Sequence, residues 1–434
     1  MSKTPVAEVS SPAAPRTAPL AATTATVSVM GVLVVGQMYV TIPLMPELAG
    51  AWGVSTGSAA ASTTAFAFAH AVGSLVSGPL STRWGRRNVM VVNVLAMALI
   101  TAFLPLAASL GAGVALRAVQ GLFAGSFIPM SYAYLHARIA PHRVSLALTV
   151  VSACMGATVL IGQLEAQLVA SLVGWHWVFW GTVPPLLAGA AVSWRVLLPE
   201  ERHGTGTGGP SGLGPALGAR MIPLYLVILV GAGSLTAVYT GVQLYGPASV
   251  AGGGAPLLAL RASALPALLG AVLAAPALAR FPAPRRAAVA LVVTVAAMLA
   301  AAAARDDAVQ LGAALFVFMA GFATLGPALI QSVGARAGAA AQTTAIALYG
   351  FTLNVGAGAG AQLAALFDRF TPLALLLAAA LTLAVGGVVQ GGRRPDALPG
   401  PSLPHPGAAP HDADSAAHPT TPSSSPVRPG STRP

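Results

Sequence analysis

About every thirty residues along this 434-residue chain, the sequence presents another apolar run long enough to cross a hydrocarbon layer. Such a crossing needs about 20 residues. They must be helical, because lipid offers no partner to a free backbone amide or carbonyl. Twelve stretches qualify. Six lie near 22–46, 58–80, 88–107, 109–135, 144–171 and 177–198, and six near 221–246, 255–279, 286–304, 308–331, 340–367 and 372–391. Only 8% of residues are charged, against about 25% in soluble domains, which is too little polar surface to clothe a water-soluble globule. Cys154 is the single cysteine, so no intramolecular disulfide forms. The first run is too long for a cleavable leader, and the polar, Pro/Ala-rich residues 1–21 before it are expected to be disordered in the cytoplasm.

Basic residues set the orientation. Lys3, Arg16, Arg83, Arg86, Arg87, Arg138, Arg143, Arg195, Arg202, Arg220, Arg280, Arg285, Arg286 and Arg336 fall on the side of the N-terminus, together with Arg393, Arg394, Arg428 and Arg433 of the tail. Only Arg305 and Arg369 fall opposite. This split of 18 to 2 places both ends in the cytoplasm of a cell (inner or plasma) membrane protein. The same scatter argues against nucleic acid as a partner, although the formal net charge is +11.

Composition breaks at 199–220, which reads as a cytoplasmic linker between a bundle at 22–198 and another at 221–392. Ala166-Gln167-Leu168 and Ala361-Gln362-Leu363 repeat at an offset of 195 residues, one in each half. Residues 393–434 carry 11 prolines and read as a disordered cytoplasmic tail. Its His405, His411 and His418 are expected to be solvated rather than metal-bound. No metal-ligand cluster, phosphate loop or nucleophile–base pair stands out, so neither a cofactor nor enzymatic chemistry is expected.

Gly78-Pro79-Leu80-Ser81-Thr82-Arg83-Trp84-Gly85-Arg86-Arg87 resembles the loop motif between the second and third spans of the major facilitator superfamily. Tyr39 to Leu48 is similar to the end of the first span in its drug-exporter branch, and Arg117, Gln120 and Gly121 are similar to its fourth-span motif. Gly174-Trp175-His176-Trp177-Val178-Phe179 resembles the entry to its sixth span. The resemblance implies an all-α membrane protein with the major facilitator fold, twelve transmembrane helices in two pseudo-symmetric six-helix bundles, working as a monomer. It further implies a secondary transporter exchanging small organic solutes or drugs against protons by alternating access. Two departures stand out. Thr82 occupies the place of the family's loop carboxylate, which helps latch the halves. The fifth-span antiporter motif is reduced to Gly162-Gln163 and Ala166-Gln167.

Charges inside a bilayer are costly and therefore informative. Of the 11 carboxylates, Glu165 is the one well inside a span, and Arg117 and Arg261 are its cationic counterparts there. All three sit about 10 Å below the outer surface by helical rise. The family architecture brings the fourth, fifth and eighth helices together, which implies that Glu165 pairs with Arg117, with Arg261 across the halves, or alternately with both, as an outer gate. His70 is a candidate proton relay. Gln37, Tyr39, Gln120, Tyr132, Tyr239, Gln243 and Asn354 are candidate lining residues for a moderately apolar solute. One carboxylate against two guanidiniums also suits an organic anion, so an uptake carrier for such a solute is the alternative. A non-transporting sensor or intramembrane enzyme fits less well, since paired catalytic groups and a folded output domain are both lacking.

Overall fold

A computed structural model of the protein describes residues 17–199, 213–251, 254–278, 280–304 and 307–392. The N-terminal arm before residue 17, most of the linker, Arg305 and the tail with its three histidines lie outside the described residues, as do the surroundings of Gly78, Pro79 and Thr82. The first half comprises α1 (Leu20–Gly36), α2 (Met45–Trp52), α3 (Thr56–Ala59), α4 (Ala61–Trp84), α5 (Arg86–Phe103), α6 (Leu110–Gly125), α7 (Phe127–Arg138), α8 (Pro141–Val173), α9 (His176–Trp180) and α10 (Val183–Val196). The second comprises α11 (Leu213–Ala216), α12 (Ile222–Tyr245), α13 (Ala248–Ala251), α14 (Gly254–Ala262), α15 (Leu265–Leu278), α16 (Ala283–Ala303), α17 (Ala308–Ala365) and α18 (Phe370–Gly392). No strand occurs among the described residues. Helix underlies each of the twelve apolar stretches, and among the described residues eight segments are both long and apolar enough to cross a membrane as they stand.

The helix ends follow local chemistry. Ser109 Oγ accepts from Ala112 N at 3.3 Å, and Asp307 Oδ1 accepts from Val309 N at 2.8 Å, so each caps a helix start. Gly85 alone joins α4 to α5, at φ +80°. A side chain there would be strained, which gives the glycine of the loop motif its physical reason. Leu80 of the same motif packs half-buried against the core.

The helical backbone of α17 continues through 58 residues, about 87 Å if straight and far more than one hydrocarbon layer. Yet Tyr349 Oη donates to Gly326 O at 3.4 Å. These residues would stand about 35 Å apart in a straight helix, beyond any tyrosine's reach. The rod is therefore folded back on itself, and its two limbs correspond to the expected stretches at 308–331 and 340–367.

Small residues let the helices touch backbone to backbone. A Cβ on Gly121 would come within 2.2 Å of Phe66 O, and one on Gly125 within 2.1 Å of His70 O, so α4 and α6 pack where a larger residue would clash. Gly162 of α8 meets Gly36 of α1 in the same manner, and Gly360 of α17 meets Gly233 of α12.

Candidate functional site

Two buried arginines organise the polar interior. Arg117, on α6, has no exposed surface. Its Nη1 donates to Gln120 Oε1 at 2.6 Å and its Nη2 to the backbone carbonyl of Gln37 at 2.8 Å. That carbonyl is available because α1 ends at Gly36 and irregular backbone runs to α2. Gln120 Nε2 donates in turn to Thr101 Oγ1 at 2.8 Å, and the guanidinium lies 4.2 Å from the centre of the Phe66 ring. This network ties α5 and α6 to the break after α1, all within the first half.

Arg261, on α14, is equally buried but bridges differently. Nη1 donates to Gln167 Oε1 on α8, and Nη2 donates to Gln243 Oε1 on α12. The first of these bonds crosses between the two halves. Arg261 also lies in the electrostatic field of Tyr239 and Glu47. Among the described residues its Nε has no hydrogen-bond partner, and neither has the buried hydroxyl of Tyr239. Further contacts join the halves on the same side. Thr64 Oγ1 donates to Gly358 O at 2.9 Å, and a Cβ on Gly57 would stand 3.7 Å from Ala365 Cβ. All of these lie at the helix ends remote from the arginine-rich loops.

Glu165 joins neither arginine. It is exposed on α8, on the stripe that carries the exposed Ile161, Leu168 and Leu172, while Gln163 and Gln167 of the adjoining turns are buried. The expected pairing is thus corrected: helical periodicity turns Glu165 away from the interior, and the glutamine two residues on takes its place beside Arg261. Glu47, at the start of α2, is the carboxylate whose charge acts on Arg261. In sequence it belongs to the Tyr39–Leu48 motif just past the end of an apolar run, where nothing local marks its nearness to Arg261.

His70 is buried against Phe66, ring centres 5.9 Å apart, with both nitrogens unpartnered. The candidate lining residues do not converge on one cavity. Gln37 and Gln120 serve Arg117, and Gln243 serves Arg261. Tyr132 Oη shares a hydrogen bond with Ser152 Oγ at 2.9 Å, while Asn354 Nδ2 donates to Gly350 O of its own helix at 2.7 Å. Tyr39 and Tyr239 are buried. In the loop motif, Arg83 is exposed and Arg87 Nη1 donates to Leu197 O at 3.2 Å, its guanidinium 3.9 Å from the Trp194 ring centre. Tyr134 Oη accepts from Leu198 N at 2.6 Å and Arg138 Nη2 donates to Pro199 O at 2.7 Å. Three successive residues leading into the linker are thus gripped, a clamp that no local sequence pattern announces.

Residues 27–361 match the family model of the Major Facilitator Superfamily. Among curated proteins, the chain is 32% identical over 140 residues to the tetracenomycin C resistance and export protein of Streptomyces glaucescens, covering 32% of this chain and 26% of that protein. It is 27% identical over 157 residues to the multidrug export protein EmrB of Haemophilus influenzae, covering 36% and 31%. It is 26% identical over 157 residues to the fatty acid resistance protein FarB of Neisseria gonorrhoeae, again covering 36% and 31%. The matches thus span about a quarter to a third of these relatives' lengths.

Proposed function

Because the chain belongs to the major facilitator superfamily, we propose that it is a twelve-span secondary carrier that exports small organic molecules against a proton gradient. It works as a monomer in the cell membrane, with both termini and the linker in the cytoplasm. Two six-helix halves rock about a central path, and the described state is closed at the outer end. The observation that carries this reading is the cross-half bond from Arg261 to Gln167, made at the same end as the Thr64–Gly358 and Gly57–Ala365 contacts. Close glycine seams within each half pack its helices tightly enough to move as one body. The printed names of the relatives, two of them export proteins, support the direction of transport.

Arg261, whose bond to Gln167 crosses the halves, is the gating residue in this reading; Arg117 braces the first half, and His70, buried and unpartnered among the described residues beside the Arg117–Phe66 stack, is the candidate relay. Transport into everted proteoliposomes with an imposed pH gradient tests the proposal, with ethidium and organic acids as cargo. Gradient-dependent accumulation is expected, reduced by His70→Gln. Flux indifferent to the gradient for every accepted solute would remove proton coupling and leave a uniporter. A second reading, uptake of an organic anion, draws on the two buried guanidiniums that lack a carboxylate in direct contact; the sign of the gradient response separates it from export.

A further inference from the structure

Arg261 is held without a direct ion pair among the described residues. A buried ion is costly to desolvate unless an opposite charge or a full set of hydrogen bonds compensates it. Here the direct partners are two neutral amide oxygens, from Gln167 and Gln243, while Nε donates to nothing. A second orphaned group accompanies it. The Tyr239 hydroxyl is buried without a hydrogen-bond partner among the described residues, and Tyr239 is one of two residues in electrostatic reach of Arg261. The other, Glu47, makes no ion pair with Arg261 among the described residues. Arginine presents five donors in a fixed fork, and a carboxylate fits that fork with charge-assisted bonds about twice as strong as those to neutral oxygens. The arrangement therefore favours an anion over the glutamine now bound.

Position gives such an exchange a mechanical consequence. Gln243 belongs to the same half as Arg261, but Gln167 belongs to the other. An anion that displaced Gln167 would satisfy the guanidinium and cut a bond between α8 and α14 at the closed end. Arg117 offers a contrast, since Gln120, Gln37 and Phe66 all lie in its own half and exchange there would cut nothing between the halves.

We propose that Arg261 binds the carboxylate of an apolar organic acid carried by this protein, and that the bound anion, by replacing Gln167, releases the outer contact between the halves. This rests on the carrier reading above and names its substrate class. The binding step needs no bond to form or break beyond hydrogen bonds.

The test uses the full chain in lipid nanodiscs with Cys154→Ser. Spin labels are attached at Ser58→Cys and Leu366→Cys, both exposed at the outer end. Phenylbutyrate and its neutral counterpart phenylbutyramide are the probes. Phenylbutyrate is expected to shift the inter-label distances toward a longer population and phenylbutyramide to leave them unchanged. Arg261→Gln should need about tenfold or more phenylbutyrate for the same shift, while Arg261→Lys retains part of the response. Gln167→Ala should show the longer population before any anion is added. Equal responses to acid and amide, an unchanged response in Arg261→Gln, or no response of the wild type to the acid would each overturn the proposal. The carrier reading stands or falls separately, on gradient-driven flux of ethidium or phenylbutyrate by the same protein reconstituted in sealed proteoliposomes. A distance shift without flux would keep the anion site and remove the transporter.

Discussion

At the residue scale, the decisive contrast lies within one turn of α8. Glu165 and Gln167 are two residues apart, which on a helix sends them to nearly opposite faces; the glutamine is buried beside Arg261 and the carboxylate is exposed among apolar neighbours. Glu165 lies about 12 Å from the end of α8 by helical rise, where a charged side chain costs about 2–3 kcal/mol on the mildest insertion scale. Glu165→Leu should therefore raise thermal stability in nanodiscs, by a margin of about 1–2 kcal/mol once outward bending of the side chain is allowed for. Gradient-driven transport should be unchanged. A lower melting midpoint, or lost proton dependence in this variant, would return Glu165 to the working parts.

Between elements, the glycines set how closely helices meet, and they are not equivalent. A Cβ on Gly162 would stand 2.7 Å from the backbone oxygen of Gly36, whereas one on Gly156, two turns earlier on α8, would meet nothing within 4 Å. Gly162→Ala should lower stability by about 1–3 kcal/mol, because neither backbone can yield. Gly156→Ala should raise it by about 0.5–1 kcal/mol through helix propensity. Melting curves of the two variants side by side check the opposite signs. The same elements show what could be read in advance. Apolar length located the helices and the loop motif located the α4–α5 join, because both depend on local composition. The folded course of α17 was expected only as two spans, since the sequence cannot say that helical hydrogen bonding carries on into the turn. Of the groups that hold Arg117 and Arg261, Gln120 stands three residues away within the fourth-span motif, whereas Gln37 and Gln167 are set by contacts far apart in the chain, and the group Gln37 offers is a backbone carbonyl freed by a helix break. Glu47 is visible within the Tyr39–Leu48 motif, but its nearness to Arg261 is not, since a residue just past an apolar run reads as interfacial whatever its neighbour in space.

For the whole molecule, the contacts that join the halves at the ends remote from the arginine-rich loops are meaningful only if they must open during work. Gly57 on α3 and Ala365 at the end of α17 give a direct way to hold them shut. A Cβ on Gly57 would stand 3.7 Å from that of Ala365, close to the separation of about 3.8 Å found across disulfides. Gly57 carries no positive φ that a cysteine would strain. The pair Gly57→Cys and Ala365→Cys, in a Cys154→Ser background, should therefore cross-link under mild oxidation with little adjustment of either helix. A carrier that rocks its halves must separate these ends once per cycle, so the oxidised protein should lose nearly all flux and regain it with a reductant. Each single substitution should transport normally under both conditions, which separates locking from damage. If the cross-linked protein still carries solute at the reduced rate, the outer ends do not part, and both the alternating path and the Arg261 latch between α8 and α14 lose their mechanical basis.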